Sequence, residues 1–396
     1  MINSKLQILF YTTFISFYFV NSNWAQSPVQ NIRSVIAGLD SDRVIKEANL
    51  YLKETPITIT SFPADRSFGG KHDYYSEGDY WWPNPSDPEA PYIRKDGLSN
   101  PNNFNSHRQA LINFSIQVPT LIAAYIFTKD NVYVEHALKH LNAWFVNNQT
   151  RMNPNLRYAQ AIKGITSGRG IGIIDTIHLI EIVQAIIVLE KLNLISEEEL
   201  TAVKDWFSKY NEWLFTDQFG IDERDNGNNH STCWNMQVAQ YAKFTNDLEK
   251  MEYCSNHFKN DLLPKQMAQN GSFPLELERT KPYGYSLFNL DAMVMVVKIL
   301  SVNENLWNFY TNGNKNIRNA MEFMYPFILD KQCWPYTKDV MYYDYWPVRQ
   351  PSLLFAGLAL IDEKYISLWM TLDPAPKVDE VIRNYFIRQP ILWIDD

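Results

Sequence analysis

Apolar residues recur at helical spacing along most of this chain. From about residue 108 to the C-terminus they return every three or four positions, as one buried helix face requires. The pattern predicts helices over 40–54, 107–127, 132–147, 171–192, 197–215, 231–245, 247–262, 286–302, 315–329, 350–361 and 377–388. Ser196 followed by Glu199 makes a capping box that opens one of them. Few segments alternate as strands do, the connections are mostly short, and no short repeat period is evident. Many consecutive helical hairpins in one long chain predict an all-α toroid or solenoid.

Two stretches break this order. Residues 55–106 are dense in Pro, Asn, Asp, Gly and aromatic residues and include Tyr80-Trp81-Trp82-Pro83-Asn84-Pro85. Residues 148–170 carry Arg151, Arg157, Lys163 and Arg169, with Gly168 and Gly170 before the next helix. Long ordered loops are uncommon unless they serve function, so both are expected to wall a cleft. With no low-complexity linker, residues 26–396 are expected to form a single domain.

Lys5, the apolar run Leu6–Val20 and the polar stretch ending Asn23-Trp24-Ala25 read as a signal peptide over residues 1–25. Its apolar run falls short of the roughly 20 residues a bilayer crossing needs, and no cysteine follows it for lipid attachment. A periplasmic or secreted protein is expected, with no membrane contact after cleavage. The net charge of −8 argues against a nucleic-acid partner, since such binders are usually basic. It leaves an acidic sugar polymer open, provided the cleft is locally positive. The 12 Trp and 23 Tyr suit both cores and sugar clefts, because a ring face packs on C–H groups while its polar edge bonds hydroxyls. Cys233, Cys254 and Cys333 have neither disulfide-framework nor metal-site spacing, and free buried thiols are expected. No cofactor or metal is expected.

Two runs concentrate the chemistry: Gly227-Asn228-Asn229-His230 and Glu278-Arg279-Thr280-Lys281-Pro282-Tyr283-Gly284-Tyr285. They supply amides, an imidazole, a guanidinium and two phenols, without the paired acids of a glycosidase. That set suits removal of the C5 proton of a uronate while the bond to O4 breaks. The sugar carboxylate must be partly neutralised as the carbanion-like state forms, and donors placed where charge develops usually contribute most. Asn229 and His230 can supply those donors. Arg279 can stabilise a phenolate, so Tyr285 or Tyr283 can act as base, acid or both. Each element also has a plainer reading. Asn-Asn before an apolar run caps helices, a lone arginine usually makes an ion pair, and Pro-Tyr-Gly-Tyr suits a turn.

Elsewhere, Tyr80, Trp81 and Trp82 are candidates for sugar stacking, with core packing as the rival role. Arg94, Lys95, Arg108 and Arg169 are candidates for carboxylate contacts, and Asn228 and Tyr283 for further substrate contacts. The glycines around Arg169 follow no strand and lack nucleotide-loop spacing. Asp175, His178 and Glu181 share a helical face, where a buried hydrogen-bonded cluster is favoured over metal ligation. His72, Asp73 and Asp79 are only weak metal candidates.

Several stretches, taken in order, resemble the alginate-lyase superfamily, most closely polysaccharide lyase family 38 and more remotely family 5. They are Asp-Tyr-Tyr-Ser-Glu-Gly-Asp-Tyr-Trp-Trp-Pro-Asn-Pro at 73–85, Asn-Ser-His-Arg-Gln-Ala-Leu at 105–111 and Ser-Gly-Arg-Gly-Ile-Gly-Ile-Ile-Asp-Thr at 167–176. Asn-Gly-Asn-Asn-His at 226–230 and Leu-Glu-Leu-Glu-Arg at 275–279 follow, ending at Tyr285. The resemblance implies an α/α toroid, an incomplete barrel of helical hairpins with long cleft-forming loops. It also implies catalytic roles for Asn229 and His230 at the carboxylate, Arg279 beside the phenol and Tyr285 in proton transfer. The six-residue step from Arg279 matches family 38; the longer step of family 5 would land on Ser286, so Tyr285 is favoured over Tyr283.

The expectation is metal-independent β-elimination on β-1,4-linked uronate chains, glucuronan or mannuronate-rich alginate. In mannuronate and glucuronate the C5 proton and O4 leave one face, so a single tyrosine can remove and return the proton. In guluronate they leave opposite faces, and His230 becomes the base. The alternatives are a toroidal glycoside hydrolase acting on uronic-acid oligosaccharides, needing two carboxylates from Asp222, Glu223, Asp225 or Glu278, and a non-catalytic sugar-binding protein.

Overall fold

A computed structural model describes residues 31–394 apart from 88 and 303; the signal peptide expected at residues 1–25 lies outside that range. The helices are α1 (Ile32–Tyr51), α2 (Ser106–Thr128), α3 (Asn131–Leu141), α4 (Leu179–Lys191), α5 (Glu197–Thr216), α6 (Gln218–Arg224), α7 (Asn229–Thr245) and α8 (Leu248–His257). They continue with α9 (Leu263–Gln266), α10 (Pro274–Leu277), α11 (Pro282–Leu300), α12 (Ile317–Leu329), α13 (Pro351–Leu360), α14 (Glu363–Thr371) and α15 (Asp379–Asn384).

They form two layers. In the inner row, α2 packs on α4, α4 on α7, α7 on α11 and α11 on α13. Outside it, α1 and α3 lie on α2, α5 and α8 on α7, α12 on α11, and α14 on α13. This is the α/α toroid that the helical spacing and the family resemblance predict together. Inner helices are apolar around most of their circumference because neighbours cover them on both sides. In α11 nearly every residue from Ser286 to Leu300 is buried. By length and composition α2 and α11 would suit a bilayer, but 67% and 83% of their apolar windows are buried inside the protein. One apolar cluster runs from Ile32 to Trp393, and the turn Pro390–Trp393 packs back on α1, α2 and α4.

The two loop regions are largely irregular, as expected. Two small sheets stiffen them: β1 (Tyr75–Glu77) pairs in parallel with β4 (Tyr158–Ala161), and β2 (Trp81–Trp82) pairs antiparallel with β3 (Ile93–Arg94). The predicted helix 171–192 divides into a 3-10 turn, Gly170–Thr176, and α4, at an angle of 44°. Close contact causes the break: a Cβ on Gly172 would lie 2.5 Å from the Ala159 side chain. Two starts differ from expectation in a consequential way. α7 opens at Asn229 rather than 231, and α11 at Pro282 rather than 286. The two chemical runs are therefore the N-terminal turns of adjacent inner helices.

Candidate active site

A cleft of about 360 Å³ opens where those two helix N-termini meet the loop walls. Asn228, Asn229 and His230 line it from α7, Arg279 and Tyr285 from the entry to α11, and Tyr80, Trp81, Arg94, Gln160 and Arg169 from the loops. Asp79 also faces it, together with Glu380, Arg383 and Asn384 of α15.

On the α7 side the geometry begins with a turn. Gly227 takes a left-handed φ of +85° and its N–H donates to Ser231 Oγ at 2.6 Å. Asn228 then caps α7, accepting from the His230 backbone N–H at 3.0 Å, which is the role expected of Asn before an apolar run. Glu276, buried at the end of α10, holds Asn229 twice: its two oxygens accept the backbone N–H at 2.8 Å and the side-chain Nδ2 at 2.7 Å. An amide nitrogen carries two hydrogens, so one remains for the cleft. His230 Nδ1 sits 2.8 Å from Oε1 of the fully buried Glu223. A carboxylate only accepts, so Nδ1 donates. Nε2 then holds a lone pair in the neutral ring and a proton only in the imidazolium. The first form serves a base, the second a group that neutralises a carboxylate. Burial raises the Glu223 pKa and His230 opposes that rise.

Opposite lies the phenol. Tyr285 Oη is 2.7 Å from Tyr80 Oη and accepts from Arg279 Nη2 at 3.3 Å. The Arg279 guanidinium also lies 4.4 Å from the Tyr285 ring centroid and is anchored by Asp96 at 3.1 Å. Burial and the neighbouring Tyr80 push the Tyr285 pKa well above 10, while Lys281 and Arg279 pull it down. The resting group is therefore a neutral phenol, a proton donor in place.

Positive charge concentrates in the cleft. Arg169 donates to Gln160 through Nε and Nη2, each at 3.0 Å, and burial lowers its pKa to about 10. Gly78 permits this packing, since a Cβ there would fall 2.7 Å from Trp81 and 2.8 Å from Arg169. Arg383 bonds Asp79 at 2.7 Å, and Asp79 bonds Arg108 at the same distance. Though buried, Asp79 is held down to about 2 by Arg108 and Arg383.

This chain matches the family model described as "Alginate lyase" over residues 58–334. The chain belongs to the alginate lyase family. It is a polysaccharide lyase. An alginate lyase from Bacteroides ovatus aligns at 30% identity over 93% of this chain and 96% of that one, with a TM-score of 0.79. Alginate lyase A1-III from Sphingomonas species A1 shares the fold at 14% identity, with a TM-score of 0.57 over 93% and 95% of the two chains. A variant of alginate lyase A1-III complexed with tetrasaccharide gives 14%, 0.58, and the same coverage. No curated protein sequence matches significantly. These similarities support the superfamily and leave families 38 and 5 undivided.

Within this lyase, four expected contacts fall away from the cleft, among them Lys95, whose ammonium lies 5.0 Å from the Trp82 ring centroid. Tyr283 is fully buried in the core; its hydroxyl donates to Phe327 O at 2.9 Å and its ring packs on Trp334 and Tyr343. Helical geometry separates it from Tyr285, since residues two apart point to different faces. Trp82 points away from Trp81, as strand alternation dictates; its Nε1 donates to Leu98 O at 2.9 Å. Arg108 is buried between Asp79 and Asp175 and supports Asp79 from behind. Asn228, Tyr80, Trp81 and Arg169 do line the cleft.

The weaker metal candidates are held by protein partners. Asp175 accepts from Tyr74, Ser76 and Gln160, and Glu181 accepts the backbone N–H groups of Arg388 and Gln389. His72 contacts Arg151 O, and Asp73 bonds Asn153. No group of three or more metal-type ligands occurs among the described residues. Cys233 and Cys254 are buried free thiols, whereas Cys333 is exposed. Sequence reasoning missed Glu276, Glu380, Arg383 and Asn384 as site residues. The hints were Glu276 inside the family-like stretch 275–279 and Glu380 three residues before Arg383 in a predicted helix.

Proposed function

We propose that this lyase cleaves β-1,4-linked uronate chains, mannuronate-rich alginate or glucuronan, with Tyr285 as the proton-transfer group. The observation that carries the reading is the convergence on one cleft of an Arg279-supported phenol and the Asn229–His230 pair, each fixed by a buried glutamate. The name of the Bacteroides ovatus protein favours alginate, and the tetrasaccharide complex of A1-III is consistent with an oligosaccharide-binding cleft.

In this reading the sugar carboxylate meets the free Asn229 amide hydrogen and His230 in its imidazolium form, within a cleft made positive by Arg169, Arg279 and Arg383. Neutralising the carboxylate acidifies the C5 proton, and positioned donors of this kind usually contribute most to such reactions. Departing O4 takes its proton from Tyr285. For a mannuronate or glucuronate unit the phenol must first lose its own proton to solvent; as phenolate it then removes the C5 proton and delivers that proton to O4 as the C4–O4 bond breaks. The adjacent cations support that state. For guluronate, neutral His230 would be the base through Nε2. Export after removal of residues 1–25, with residues 26–396 acting as one catalytic domain, completes the proposal.

Hydrolysis needs a protonated carboxylic acid facing the sugar. The carboxylates lining this cleft are Asp79, held at about 2, and Glu380, bound to Lys281 and Arg383. Asp222 and Asp225 are engaged by Gln218 and Arg224, and Glu223 lies behind His230. Incubation with polymannuronate, glucuronan, polyguluronate and hyaluronan, followed for new ultraviolet absorbance, separates elimination from hydrolysis. Elimination leaves a conjugated double bond; hydrolysis and simple binding do not.

A further inference from the structure

Beside the main cleft, and sharing Tyr285, Phe288, Glu380 and Asn384 with it, is a chamber of about 20 Å³ that Lys281 lines. Lys281 is 5% exposed and does not line the main cleft. Its ammonium lies 5.1 Å from the Tyr80 ring centroid and 5.4 Å from that of Tyr285, the two phenols that share a hydrogen bond. It is paired with Glu380 of α15, beyond the 58–334 stretch that matches the family.

We propose that Lys281 is a positioning residue for the elimination: from beside the two phenols it makes Tyr285 ready for proton transfer without touching the sugar. The inference rests on Tyr285 being the proton-transfer group. Burying an ammonium is costly, and a buried ion pair is weak evidence for stability by itself. The position is better explained by what the charge does to its neighbour. Deprotonating Tyr285 creates an anion in a desolvated place, where a cation 5.4 Å from the ring centroid acts strongly because little water screens it.

The acids around the phenol do not cancel this effect. Asp96 is committed to Arg279, and Asp339 accepts the first-turn N–H groups of Tyr283 and Gly284 at 2.8 and 2.9 Å. Glu380 is shared between Lys281 and Arg383, and Asp79 between Arg108 and Arg383. His230 faces the cleft from α7, across from the phenol, with Glu223 behind it. Two cations act directly on Tyr285, Lys281 and Arg279, and both oppose the effect of its burial. Arg279 also lines the cleft and can meet substrate, whereas Lys281 does not line it.

The competing reading is that Lys281 merely clamps α15 to α11 through Glu380. The two differ in the pH profile. On the best uronan, Lys281→Met should move the phenol-controlled limb of kcat/KM upward by about one to two pH units. Below that limb kcat should fall about 10- to 100-fold, with KM nearly unchanged because no sugar contact is lost. Lys281→Arg, which keeps the charge, should restore the limb. If Lys281→Met does not fold, Lys281→Gln provides the same neutral comparison. An unmoved limb in a folded neutral variant, or a loss confined to KM, overturns the proposal. So does a Lys281→Arg profile that matches the neutral variants. Wild-type enzyme without ultraviolet-absorbing product would instead remove the underlying lyase reaction on uronans, a separate failure.

Discussion

At the scale of single residues, the site depends on acids that never meet the substrate. Glu223 fixes the tautomer of His230, and Glu276 fixes the amide of Asn229. Replacing Glu223 with Gln exchanges a group that only accepts for an amide that can donate as well, and so lets the ring flip or change tautomer. We expect kcat to fall about 10- to 100-fold at unchanged thermal stability, less than the roughly 10²–10⁴-fold that an acid–base group itself contributes; full activity in Glu223→Gln would show that the pairing is incidental. Much of the cleft lining was legible in sequence. Asn229, His230, Arg279 and Tyr285 all line the cleft, and the six-residue Arg-to-Tyr step selected the phenol that does so. The buried partners were not legible, because nothing in Leu275-Glu276-Leu277-Glu278 distinguishes the inward glutamate from the exposed Glu278.

At the scale of elements, two errors of a few residues at helix starts mattered most. Apolar periodicity begins only when a helix enters the core, so it located α7 and α11 but not their polar first turns. Those turns line the cleft, and their first N–H groups are taken by Glu276, Asn228 and Asp339, so the groups they offer to a substrate are side chains. Helix α3 offers a separate test. His136 and His140 lie one turn apart with ring centroids 5.1 Å apart, and both His140 nitrogens are buried without partners. Burial, reinforced by His136, lowers the His140 pKa from 6.5 to about 4. The folded form thus favours the neutral ring, and its contribution is intact above pH 6.5 and lost as pH falls towards 4. Urea unfolding of wild type and His140→Leu from pH 7 to 4.5 should show the variant losing less stability. The full difference across the window is on the order of 3 kcal/mol. Parallel losses would rule out His140 as a source of acid sensitivity.

At the scale of the whole molecule, the C-terminal segment both closes the toroid and completes the cleft. Arg349 bonds Asp40 of α1 at 2.8 Å, both buried, and Arg388 and Gln389 bind Glu181 of α4. The same segment brings Glu380 and Arg383 to the cleft. Sequence pattern supplied the helical layering but not this closure, because contacts across some 309 residues leave no periodic trace. Arg349→Met leaves buried Asp40 with only Arg43, and we expect a loss of about 3 kcal/mol in unfolding free energy. Activity per folded molecule should persist, since Arg349 does not line the cleft; an unchanged melting temperature would show that the termini are held elsewhere.

The central claim is that a phenol at the head of α11 moves the proton in an elimination. Its most direct test is the ultraviolet absorbance produced from polymannuronate and glucuronan by wild type and Tyr285→Phe, with sugar binding measured in parallel. The account predicts absorbance with wild type on at least one polymer. It also predicts a loss of about 10²–10⁴-fold in Tyr285→Phe with binding retained. Full activity in Tyr285→Phe, or no absorbance from wild type on any uronan, would contradict it.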